Sequence, residues 1–139
     1  MSSAADLIEF CKCTYPLHTF LLADIDKSGL AQLEGGTFDY VVAAAVSLYL
    51  EEPVGVLSRL RKFIRKNGSL IVTTPHSTGR GIYMMCSRFG FLSREPDINS
   101  VKFFGRKDLH GMASAAGYDV SAYYRSLCGL NQLAVMVPL

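Results

Sequence analysis

A chain of 139 residues, half of them hydrophobic, carries enough apolar surface for one packed domain and too little length for two. Charged residues make up 19% and the formal net charge is +2, which excludes a disordered chain and gives no broad basic surface for nucleic acid. The longest apolar run, Val41 to Leu50, is interrupted by Ser47 and is far too short to span a bilayer.

No basic n-region or apolar h-region of a secretory signal opens the chain, and a cytoplasmic location without membrane attachment is expected. Cys11-Lys12-Cys13, Cys86 and Cys128 lack the second pair or histidine cluster that would complete a zinc site. Reduced, mostly buried thiols and no metal are therefore expected.

In chain order, Ser3 reads as a helix cap with Asp6 three residues on, and Leu7, Ile8, Phe10 and Cys11 give the helix over 4–12 an apolar side that Pro16 ends. Residues 18–23 suit a strand, and 26–37 are rich in turn formers. Phe38 to Ala44 is apolar nearly throughout, as a strand covered on both faces should be. Pro53 fits the first turn of a helix whose apolar residues recur at helical spacing as far as Asn67-Gly68. Arg59, Arg61, Lys62, Arg65 and Lys66 fall around that helix and read as a solvated face. Gly68 should close it with a positive φ. A second strand over 69–74 stops at Pro75, so helix–strand alternation argues that strands 38–44 and 69–74 pair in parallel.

A short helix is expected around Ile82 to Cys86, and another over 106–116 with Gly117 as its stop. Strands over 118–125 and 131–137, linked by a turn around Cys128-Gly129, must be antiparallel because the link is so short.

This order, together with particular stretches, resembles the second half of the class I S-adenosylmethionine-dependent methyltransferases. Phe38-Asp39-Tyr40-Val41-Val42-Ala43 is similar to that family's fourth strand. Glu51-Glu52-Pro53 with Val56 to Gly68 is similar to the following helix, and Leu70 to Pro75 to the fifth strand. Lys102 to Leu109 and Ala115 to Val120 resemble the approach to its terminal hairpin. The likeness spans about residues 20–137. It implies an α/β fold: a truncated Rossmann-like methyltransferase sheet, mostly parallel with a C-terminal antiparallel hairpin. The implied organisation is a single domain over 1–139 without the first two strand–helix units.

The family binds its cofactor through a glycine-rich turn after its first strand and an acidic residue after its second. The nineteen residues ahead of Phe20 contain no glycine, and both elements are missing. Where members often carry Glu and His after the fourth strand, this sequence has Ala45 and Tyr49. The resemblance implies S-adenosylmethionine as cofactor, with Asp24 and Ile25 on its adenine side and Ala43, Ala44 and Ser47 on its methionine side. Asp24 reads equally well as a turn aspartate. His76 and Tyr49 are the candidates for acid–base work on a small-molecule methyl acceptor. His76 suits a base by its ordinary pKa, although a lone loop histidine is more often a surface residue.

Two functions stand side by side. One is a methyltransferase-like enzyme related to small-molecule methyltransferases, inactive or partner-dependent as this chain. The other is a non-catalytic methyltransferase-like interaction module. A dehydrogenase fragment fits less well because of the terminal hairpin. With the first strand absent, strand 38–44 is expected either to be covered by strand 18–23, with helix 4–12 shielding one face, or to pair with a second copy or partner chain.

Overall fold

A computed structural model describes residues 3–27, 29–33, 35–44, 46, 50–89 and 102–139. The chain divides into two compact units, Met1–Glu34 and Gly35–Leu139, each taken by itself.

In the first unit, helix α1 (Ala4–Thr14) starts at Ser3. The Ser3 hydroxyl oxygen accepts from the Asp6 N–H, and the Asp6 carboxylate accepts from the Ser3 N–H at 2.7 Å, so two orphan donors of the first turn are satisfied together. The expected strand 18–23 does not form: residues 19–24 have no regular structure. A strand needs a neighbour for its backbone groups. The unit's other described elements are α1 and a 3₁₀ turn at Gly29–Leu33. The rings of Tyr15, His18 and Phe20 instead gather with centroids 6.3–6.5 Å apart.

The second unit is a four-stranded sheet in the order β1-β2-β4-β3, formed by β1 (Phe38–Ala44), β2 (Ile64–Pro75), β3 (Tyr118–Ser126) and β4 (Asn131–Pro138). β1 and β2 are parallel, with Tyr40 opposite Ser69 and Ala44 opposite Thr73. β4 runs antiparallel to both β2 and β3. The parallel pair and the terminal hairpin are as expected, and the sheet as a whole is mixed. Helix α2 (Pro53–Leu60), with Pro53 in its first turn, is the crossover between the parallel strands. Helices α3 (Arg80–Arg88) and α4 (Arg106–Ala115) follow β2.

The helix before β2 does not reach Asn67. It ends at Leu60, passes through a 3₁₀ turn at Arg61–Phe63, and the chain is already a strand at Ile64. Phe38 pairs with Ile64 but Tyr40 with Ser69, so β2 bulges where β1 advances only two residues. Arg65 spans the bulge to both oxygens of Asp39, at 2.7 and 2.8 Å. Gly68 is an interior strand residue and is not among the glycines with positive φ, which among the described residues are Gly35, Gly117 and Gly129. Glycine is needed there for closeness. A Cβ at Gly68 would lie 2.6 Å from the Asp39 carbonyl oxygen and 2.8 Å from Ile64 Cγ2.

The core lies on one face of the sheet. Leu57 of α2 and Leu109 and Ala113 of α4 bury against Leu70, Val72, Ala134 and Met136. Tyr118 is buried there too, donating its hydroxyl to the Leu57 carbonyl at 2.9 Å. Burial pushes that phenol up to about 12, with the Arg61 charge pulling the other way. β1 is not covered on both faces: Val41 and Ala43 pack toward the core, while Phe38, Tyr40 and Val42 are 42%, 70% and 61% exposed. The thiols are free but not mostly buried. Cys13 and Cys128 are exposed and Cys11 and Cys86 half-buried: α1 has no fully buried residue, and among the described residues neither α3 nor the hairpin tip contributes to the sheet's core. No described helix is long and apolar enough to cross a membrane.

Candidate functional site

Open α/β sheets bind ligands beyond the carboxyl ends of their parallel strands. Among the described residues those strands are β1 and β2. β1 ends in Ala43, half-buried toward the core, and Ala44, which is exposed. Both carry only a methyl side chain. Ser47 and Tyr49, along with Ala45, lie outside the described residues.

β2 ends in a more polar wall. Thr74 is fully buried, and its Oγ1 has no hydrogen-bond partner among the described residues. Gln132 of β4, opposite Thr74, is fully buried and fully used. Its Nε2 donates to the Phe104 carbonyl at 2.6 Å and the Pro75 carbonyl at 3.4 Å, and its Oε1 accepts from the Tyr123 hydroxyl at 2.7 Å. One amide thus ties the end of β2, the lead into α4 and the hairpin together. At the start of α4 the Asp108 carboxylate accepts from the Gly105 N–H at 2.6 Å, which fixes that lead.

His76 follows directly and is 9% exposed. Its backbone N–H donates to the Leu130 carbonyl at 2.9 Å, and the Ser77 N–H donates to the Phe104 carbonyl at 3.1 Å. Its Nδ1 accepts from the Thr78 N–H at 3.2 Å, capping the 3₁₀ turn Ser77–Gly79, and lies 2.9 Å from Thr78 Oγ1 and 3.3 Å from an Arg125 nitrogen. The same guanidinium nitrogen donates to the Gly129 carbonyl at 2.7 Å and Thr78 Oγ1 at 3.0 Å. Burial and then the Arg125 charge lower the His76 pKa, so the ring is neutral near pH 7. With donors on Nδ1, the neutral ring carries its proton on Nε2.

Asp24 and Ile25 lie in the first unit, and Ile25 opens a turn over 25–27. Asp24 accepts from the Asp26 N–H at 3.2 Å and pairs with Lys27 at 3.4 Å, both groups being largely exposed. β2 thus brings His76 to the polar wall, and β1 ends in the two alanines. Gln132 and Arg125 went unnoticed in the sequence. Gln132 has a legible signal, a polar residue at the core-facing parity it shares with Ala134 and Met136. For Arg125, only the hairpin geometry reveals the role.

No family model and no curated protein sequence matches this chain. Solved structures do. The magnesium protoporphyrin IX methyltransferase of Synechocystis PCC 6803, with bound SAH, superposes on 97% of this chain and 59% of its own, at TM-score 0.63 and 14% identity. An O-methyltransferase from neocarzinostatin biosynthesis, in complex with S-adenosylmethionine and 2-hydroxy-5-methyl naphthoic acid, covers 98% of this chain and 38% of its own, at TM-score 0.68 and 16% identity. An enzyme described as catalysing a pericyclic reaction covers 97% and 40%, at TM-score 0.58 and 10% identity. This chain therefore spans less than two thirds of each of these neighbours, and at such identities the likeness shows the fold. That fold is the α/β fold of the class I S-adenosylmethionine-dependent methyltransferases, present in part.

Proposed function

We propose that this chain is an S-adenosylmethionine-dependent methyltransferase-like protein, related to small-molecule methyltransferases, that is inactive or partner-dependent as these 139 residues. One observation carries the reading: methyltransferases holding SAH or S-adenosylmethionine superpose on nearly the whole chain. In this reading the chain is one methyltransferase-like domain without the first two strand–helix units, and it works in the cytoplasm.

The candidates cover one side of the cofactor: in this reading Ala43, Ala44 and Ser47 serve its methionine part, and Asp24 and Ile25 its adenine. The cofactor, when bound, supplies an activated methyl group; the protein's task is to hold the acceptor in line with it. His76 and Tyr49 are the candidates for work on that acceptor. In the tautomer that Thr78 and Arg125 select, His76 offers an N–H, which orients an acceptor oxygen. Removing a proton requires the other tautomer.

The other side does not fit. Among the described residues no strand precedes β1, and the glycines ahead of it, Gly29, Gly35 and Gly36, follow no strand. No described backbone cradle therefore exists for the rest of the cofactor, and binding is weak. A thermal-shift titration with S-adenosylhomocysteine tests this. The expected result is stabilisation that appears only at millimolar ligand and is abolished by Ala44→Trp.

The exposed apolar face and open edge of β1 favour a second reading, a non-catalytic module that docks a second copy or a partner chain there. No shift at any ligand concentration would select it.

A further inference from the structure

We propose that two copies of this chain pair through β1, antiparallel about a two-fold axis at Val41, joining their sheets into one. The inference rests on reading the β1 edge as a docking edge and narrows the occupant to a second copy.

Among the described residues no strand pairs with the outer edge of β1. The Asp39 carbonyl oxygen lies on the β2 side, within 2.6 Å of where a Gly68 Cβ would be. Backbone groups of a strand in a parallel pair alternate sides, so those of Tyr40 and Val42 turn to the open edge. The strand, Phe-Asp-Tyr-Val-Val-Ala-Ala, carries no lysine or proline of the kind that protects exposed edges. Its one charge, Asp39, is already held by Arg65 of the same chain.

The sequence of β1 is complementary to its own reverse. An axis at Val41 is the one that pairs all seven residues. It sets Tyr40 opposite Val42 and Phe38 opposite Ala44 on the exposed face, each large side chain against a smaller one, and Asp39 opposite Ala43 on the other. Aromatic against β-branched is a favourable cross-strand pair. The two Asp39 residues stand about four residues, roughly 13 Å, apart along the strand. That exceeds the screening length of about 8 Å at physiological salt. Parallel pairing of two copies in register would instead set Asp39 against Asp39 and would not close.

Oxidative cross-linking tests both partner and register. With Cys11, Cys13, Cys86 and Cys128 replaced by serine, Val41→Cys should form a disulfide-linked dimer, because residues at the axis face each other directly. Ala43→Cys should not, because its copies lie too far apart to be bridged. Sedimentation of the unsubstituted chain should show a dimer, weakened at least about tenfold by Val42→Lys. Val41→Cys is a near-isosteric change, so the cross-link reports even if the lysine variant folds poorly. A monomer at every concentration, a complex formed only with a foreign protein, or equal cross-linking of Ala43→Cys would overturn the proposal. None of these readouts involves a cofactor, so a failure here leaves the methyltransferase reading standing, and the reverse holds too.

Discussion

His76 and Gly68 show how single residues set this fold's limits. His76 has a pKa lowered by burial and by Arg125. The unfolded chain therefore takes up the proton first as pH falls, so the stability His76 contributes is complete above about pH 6.5 and is lost as pH drops toward the folded-state value. Urea melts at pH 7.5 and pH 5.5 should show that loss in the native chain and a smaller one in His76→Gln. Equal losses would place the acid sensitivity elsewhere. At Gly68 the constraint is space. A methyl group there meets backbone at 2.6 Å, which can be relieved only by moving a strand. Gly68→Ala should cost about 2 kcal/mol or more in chemical denaturation, in the range of overpacked cores. A cost below about 0.5 kcal/mol, typical of surface positions, would contradict this.

At the scale of elements, the sequence made some things plain and hid others for physical reasons. Pro53, the helical spacing through Leu60, the β-branched run to Pro75 and Gly117 with φ +84 gave the parallel pair and the start of the hairpin almost directly. The true start of β2 was hidden because Arg65, Lys66 and Asn67 look like the end of a helix. They are an exposed bulge anchored by Asp39, a partner distant in sequence. The expected strand 18–23 failed because local composition cannot supply a neighbouring strand. Of the candidate site, the positions of His76 just after β2 and of Ala43 and Ala44 at the end of β1 were legible from the strand pattern. Ser47 and Tyr49 lie outside the described residues; strand parity marked Gln132 as core-facing, but nothing in the sequence pointed to its partners or to the Arg125 contacts. The hairpin tip adds its own prediction. Leu127 and Cys128 hold φ of 50° and 54° ahead of Gly129 at 86°. Such a conformation disfavours side chains other than glycine, asparagine or aspartate. Cys128→Gly should therefore stabilise the chain by about 0.5–1 kcal/mol, read as a higher urea midpoint at unchanged slope. Destabilisation would show that the Cys128 side chain matters more than its backbone strain.

For the whole molecule, the proposed reading assigns the end of β1 to the cofactor side and the polar wall after β2 to the acceptor side of a methyltransferase fold. The described elements supply no glycine-rich turn beside them. The central claim is therefore a methyltransferase fold with a crippled cofactor site. Isothermal titration calorimetry of S-adenosylmethionine into the purified 139-residue chain tests it most directly. The account predicts a dissociation constant on the order of 1 mM, equivalent to about −4 kcal/mol. A constant on the order of 1 μM, about −8 kcal/mol, would show that another segment builds the missing cradle and would contradict it.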